Sequence, residues 1–192
     1  MPVVARNRPL KLRLLVLAIL AIMVLFAGMV VLRSLFPLEY QEEIQEWSRV
    51  YDLEPAWVAS IIRFESRFRR DAVSPAGAIG LMQIMPSTGT WIAEKHEWID
   101  PSNLSLEDAA TSIALGTWYL RYLLDRFGTS DAALMAYNAG PSNAVRWNGN
   151  LEQAFPETQR YLRRIQLCLP IYRVYFRALW LVDLIPSGQF SY

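Results

Sequence analysis

The sequence predicts a mainly α-helical domain preceded by one transmembrane helix, and three observations carry that reading. Residues 14–32 contain no charged side chain. From residue 39 onward, apolar residues recur at spacings of three and four, the period of a helix, almost throughout. Proline and glycine interrupt those runs where helices would begin and end.

The uncharged run is 19 residues long, close to the ~20 that cross a ~30 Å hydrocarbon core. Arg6, Arg8, Lys11 and Arg13 precede it, and Glu39, Glu42, Glu43 and Glu46 follow Arg33. The positive-inside rule then places the N-terminus in the cytoplasm and residues 39–192 on the other side of the membrane. A cleaved signal peptide is the competing reading, but its apolar stretch is usually only ~7–15 residues and ends at a small-residue site. The chain divides into a basic cytoplasmic leader (1–13), a transmembrane signal anchor (14–36), a helical body (39–168) and a C-terminal apolar extension (169–192).

Charge supports this division. The 192 residues hold 19 Lys+Arg and 18 Asp+Glu, a net of +1. Five of the basic residues lie before residue 39 with no acid among them, so the remainder has 14 basic against 18 acidic, a net of −4. An acidic body argues against nucleic acid as a partner. The single cysteine, Cys168, excludes an internal disulfide framework and a thiolate zinc site, and the single histidine, His96, excludes a multi-histidine metal centre.

Each element of the body has its own signals. Ile44, Trp47 and Tyr51 mark a first amphipathic helix. Pro55 suits the first turn of a second, whose apolar positions are Val58, Ile61, Ile62 and Phe68. Ser74-Pro75-Ala76-Gly77 is a turn and Gly80–Pro86 a tight connection, with room for a short hairpin around 73–84. A helix over about 87–98 follows. Ser105-Leu106-Glu107-Asp108 resembles a capping box with Asp in place of Glu, opening the longest helix of the body, which stops at Gly128. Ser130 caps another that runs through Asn138 to Gly140-Pro141. Pro156 starts the last helix, and Pro170 is expected to kink or break it. His96 is expected at a solvated helix end and Cys168 in packing. Arg160, Arg163 and Arg164 form a basic strip, read first as a solvated face and otherwise as a contact for an acidic polymer or lipid head groups.

Glu65 stands out from the packing pattern. Residues three and four away, Ile61, Ile62 and Phe68, put its carboxyl on the apolar stripe of its helix. Desolvation there raises a carboxyl pKa and keeps a proton available near neutrality, as a general acid requires. A glutamate at a helix edge, solvated or paired with arginine, fits the helix equally well. Gly80–Pro86 taken alone reads as a buried turn, and Tyr137-Asn138-Ala139-Gly140 as a helix terminus. Trp91 and Trp147 suit either core packing or stacking on sugar rings.

In combination these segments point further. Phe64-Glu65-Ser66-Arg67-Phe68, the run from Asp71 to Pro86 containing Gly80-Leu81-Met82-Gln83-Ile84-Met85-Pro86, and Ala136-Tyr137-Asn138-Ala139-Gly140-Pro141 resemble, in order and spacing, the soluble lytic transglycosylase family. The resemblance covers about residues 40–168, with Gly116-Thr117-Trp118-Tyr119-Leu120 in the usual middle and Pro156-Glu157-Thr158…Tyr161-Leu162 near the usual close. Gln153-Ala154-Phe155 replaces the Ile-Pro-aromatic segment that often precedes that close.

The resemblance implies a lysozyme-like, goose-type-like helical fold, with 39–168 as the catalytic domain. It also implies cleavage of peptidoglycan glycan strands between N-acetylmuramic acid and N-acetylglucosamine, forming a 1,6-anhydro ring without water. It makes Glu65 the catalytic acid and base, and Ser74, Gln83, Met85, Tyr137, Asn138, Glu157 and Tyr161 substrate contacts. No metal or organic cofactor is called for. The membrane is a partner through the N-terminal helix, and partners in wall synthesis or a secretion complex stay open. Two other functions fit the same residues: a goose-type lysozyme-like hydrolase using Asp71 or Asp100 as a second carboxylate, and a glycan-binding scaffold without turnover.

Overall fold

The structure, a computed structural model, describes residues 8–96 and 100–183. It divides into two units, residues 1–37 and 38–192. The first contains helix α1, Arg8–Leu35. Within it Leu10–Leu35 is long and apolar enough to cross a membrane, and its large apolar side chains, from Leu10 to Leu35, are exposed.

The second unit is built from seven helices among the described residues: α2 (Gln41–Val50), α3 (Pro55–Glu65), α4 (Pro86–Ala93), α5 (Ala109–Phe127), α6 (Ser130–Ala139), α7 (Pro141–Trp147) and α8 (Pro156–Asp183). Helix α3 packs most extensively on α8, while α5 takes α2 and α4 on one hand and α6 on the other. Ile61, Ile62, Leu81, Met82, Ile113, Leu115, Leu120, Leu134 and Leu162 are fully enclosed between them. Fully burying such a side chain contributes ~1.5–3 kcal/mol. Two of the buried hydroxyls are satisfied locally: Ser60 Oγ donates to Ala56 O, and Thr117 Oγ1 to Ile113 O.

Several boundaries depart from the sequence reading. Helix α3 ends at Glu65, and Phe68 lies beyond it in a left-handed conformation (φ 64°). Phe68 is nonetheless buried and meets Tyr172 of α8, so it reaches the same apolar surface through a turn. The cap of α5 is Asp108, not Ser105: its Oδ2 accepts from Thr111 N at 2.9 Å and from Thr111 Oγ1 at 2.8 Å. The cap of α6 is Thr129 in place of Ser130. Both shifts follow from side-chain reach, since each cap accepts from the amide three residues on. Helix α4 stops at Ala93, and the last part of its expected extent, 97–98, lies outside the described residues.

Pro170 does not break the last helix. At 28 residues α8 is longer than α5, expected to be the longest, and runs through Pro170, which is exposed. Packing on both sides outweighs the lost amide hydrogen bond, which costs ~3 kcal/mol. Cys168 and Tyr172 are buried in the α3–α8 interface, and Arg173 makes two hydrogen bonds to Glu54. The start of the apolar extension is therefore packed on the body, while the side chains of Trp180, Leu181 and Val182, and residues Leu184 and Ile185, lie outside the described set.

Candidate active site

The C-terminus of α3 delivers Glu65 to a point where α8 passes. Tyr161, on the second turn of α8, donates its Oη–H to Glu65 Oε1 at 2.6 Å. The Tyr161 ring is 8% exposed, whereas Glu65 keeps a partly open edge. Burial pushes the Glu65 carboxyl up to about 7, and the Tyr161 hydrogen bond opposes that rise. Burial and the nearby Glu65 charge hold the Tyr161 and Tyr137 phenols well above their usual range, so both are neutral donors.

The connection between α3 and α4 folds into a tight loop. Single antiparallel bridges join Val73 to Ile79 and Ile79 to Ile84, in place of a longer hairpin. Ser74 Oγ accepts from Ala78 N at 2.9 Å and closes the first turn. Gln83 sits in a left-handed conformation, φ 49°, and its Nε2 donates to Ala72 O and Gly80 O, both at 3.0 Å. Met82 is held from two helices: its N–H donates to Ser112 Oγ of α5 at 3.2 Å, and its carbonyl accepts from Tyr137 Oη of α6 at 2.7 Å. The loop's shape is therefore set by side chains far away in sequence.

Two glycines let this happen. A Cβ on Gly80 (φ 83°) would lie 1.9 Å from Leu106 O, and one on Gly116 would lie 2.3 Å from Met82 Sδ. Gly116 thus opens α5 to admit Met82, one turn below Ser112, which binds its amide.

The remaining candidates are placed less centrally. Asn138 Oδ1 accepts from Thr158 Oγ1 at 2.8 Å, tying the end of α6 to the first turn of α8. Met85 is exposed at the start of α4, and Glu157 is exposed on α8 one turn before Tyr161. Asp71 is exposed, and hydrogen bonds from Ser102 lower the pKa of exposed Asp100. Ser112 and Thr158 were not singled out from sequence; the four-residue spacing of Ser112 and Gly116, two small residues on one face of α5, was the available signal. His96 is not simply solvated: it is half-buried with its ring edge-on to Trp118 at 5.0 Å. Trp147 is buried in the core, edge-on to Phe155. Among the described residues no group of three or more His, Cys, Asp or Glu side chains is placed to hold a metal.

A partly desolvated carboxyl with a pKa near neutrality, oriented by a neutral phenol, can give and take a proton at one site.

Comparison with known proteins matches residues 42–158 to the transglycosylase SLT domain. The soluble lytic murein transglycosylase of Salmonella typhimurium is 37% identical over 123 residues, covering 62% of this chain and 19% of that protein. The membrane-bound lytic murein transglycosylase C of Actinobacillus pleuropneumoniae is 31% identical over 118 residues, 56% of this chain and 32% of that protein. A solved structure of an inactive mutant of the lytic transglycosylase Slt from Pseudomonas aeruginosa superposes with a TM-score of 0.68 at 29% identity, covering 74% of this chain and 25% of that one. The chain thus spans about a fifth to a third of the length of these relatives.

Proposed function

Because this chain belongs to the transglycosylase SLT domain family, we propose that it is a peptidoglycan lytic transglycosylase with Glu65 as its single acid and base. The observation that carries the reading is the burial of Glu65 beside Tyr161: desolvation keeps the carboxyl protonated up to about pH 7 against the opposing Tyr161 hydrogen bond, which orients it. The Oε2 of protonated Glu65 donates to the glycosidic oxygen between N-acetylmuramic acid and N-acetylglucosamine, and the C1–O4 bond breaks. The substrate's own N-acetyl group stabilises the cationic C1. Glu65, now a carboxylate, takes the proton of the muramic acid C6 hydroxyl as O6 closes on C1, giving the 1,6-anhydro end and restoring the acid.

Ordinary glycosidases use two carboxyls ~5–9.5 Å apart. Asp71 is exposed, and Asp100 is engaged by Ser102; that favours a mechanism in which the C6 hydroxyl replaces water. In this reading Ser74, Gln83, Met85, Tyr137, Asn138, Glu157 and Tyr161 line the glycan path. Residues 39–168 form the catalytic domain, carried outside the cytoplasm by the 14–36 anchor.

Digestion of purified peptidoglycan with the full chain in detergent, followed by mass spectrometry of the muropeptides, tests the reaction. Anhydro ends are expected, and ordinary reducing ends would convert the assignment to a hydrolase. A reporter fused after residue 40 and active only outside the cytoplasm is the expected topology result.

A further inference from the structure

Charge in the body is segregated onto its last helix. Residues 158–182 hold five arginines and no acid. Of the body's 14 basic residues that leaves nine elsewhere, against all 18 acids. The buried side of α8, with Tyr161, Leu162, Ile165, Cys168 and Tyr172, repeats at spacings of three and four and faces the domain. The opposite side repeats in the same way: Arg160, Arg163, Leu167, Pro170, Val174 and Arg177 are all exposed, in a row ~25 Å long. Among the described residues no ion pair engages Arg160, Arg163, Arg164 or Arg177, whereas Arg173, to one side, is held by Glu54.

A merely solvated face would carry polar side chains between its arginines. Here Leu167 is 77% exposed, more than any large apolar side chain of α1, and Val174 is 63% exposed. Apolar residues framed by arginines suit a helix lying in a membrane interface, its aliphatic side chains entering the headgroup boundary and its guanidinium groups meeting lipid phosphates. An acidic polymer would use the arginines and leave Leu167 and Val174 without a role. Beside the row a depression of about 250 Å³ is lined by Pro55, Ala56, Phe176 and Arg177, again apolar walls with a cation at hand. The chain also brings its own lipid surface within reach. Five residues separate Leu35, which ends α1, from Gln41, which opens α2, a span of ~20 Å at full extension. A surface so tethered is met at high effective concentration.

We infer that the exposed face of α8 from Arg160 to Arg177 docks on an anionic lipid surface and holds the body against the membrane in which α1 is anchored. The inference rests on the anchored reading of α1. It is tested on the full chain in nanodiscs of phosphatidylcholine, alone or mixed with phosphatidylglycerol, with a nitroxide quencher on the lipid headgroups. Val174→Cys carries a thiol-reactive fluorophore, while the native Cys168, 2% exposed, stays unlabelled. Quenching is expected to be at least threefold stronger in the anionic discs. It should fall to the neutral-disc level at high salt, and also when Arg160, Arg163, Arg164 and Arg177 are all replaced by Gln. A label at Val145→Cys, exposed on α7, should respond equally in both discs. Equal quenching of the Val174→Cys label in the two lipids, or an equal rise at Val145→Cys, overturns the docking face. A response only to added polyglutamate overturns it too, and assigns the arginines to an acidic polymer. A failed anchor has a separate signature, release of the chain from membranes by alkaline carbonate, and it removes the proposal as well.

Discussion

Tyr161 Oη lies 2.6 Å from Glu65 Oε1, so the end of α3 and the start of α8, separated by 96 residues, meet at one proton-bearing carboxyl. The α3–α8 interface buries Ile61, Ile62, Leu162 and Ile165 around the pair, which keeps water from solvating the carboxylate.

That desolvation couples stability to pH. Glu65 binds a proton more tightly folded than unfolded, with its pKa raised from 4.5 to about 7. Below pH 4.5 it is protonated in both states and carries no penalty. Stability is lost as pH rises through 4.5 to 7, by on the order of 3 kcal/mol. Glu65→Gln should therefore be more stable than wild type at pH 8 and equal to it at pH 4, as measured by denaturant unfolding of the full chain.

The same variant should lose activity about 10²- to 10⁴-fold, the contribution of a positioned acid and base. In the wild type, cleavage should decline as pH rises through about 7, where Glu65 loses the proton it must donate. Initial rates on peptidoglycan across pH 5–9 check this.

Tyr161→Phe removes the hydrogen bond that lowers the Glu65 pKa. The descending limb of the rate profile should move to higher pH while the maximal rate falls, because the carboxyl loses its orienting donor. Stability should change by only about 1 kcal/mol, the net worth of one hydrogen bond.

Gly80→Ala should be severe for its size. The added methyl would meet the Leu106 backbone carbonyl at 1.9 Å in a left-handed conformation, and neither can give easily. A loss of at least ~1–3 kcal/mol is expected, together with activity, because Gly80 also takes a hydrogen bond from Gln83.

Pro170→Ala should stabilise the domain by up to about 3 kcal/mol, since an exposed position inside a helix regains its amide and sheds a steric clash. Calorimetric unfolding of the two proteins in one detergent decides it.

Much of this was legible in the sequence. The apolar run of α1, the prolines opening α3 and α8, and the glycine closing α5 are local signals that needed no tertiary context, whereas α7, opened by Pro141, is a helix the sequence reading does not contain. The placement of Glu65 on an apolar stripe also followed from spacing, because residues four apart on a helix must share a face. Three features depended on the fold: Phe68 joining that stripe from beyond the helix end, α8 continuing through Pro170, and Ser112 and Tyr137 fixing Met82. Each is a contact between segments distant in the chain, and its energy outweighs a local preference of a few kcal/mol. The chain by itself placed Glu65 on the helix face of Ile61 and Ile62, since helix period is local. Only the tertiary structure decided that a phenol 96 residues away would hold it, because desolvation and hydrogen bonding depend on what packs against the helix.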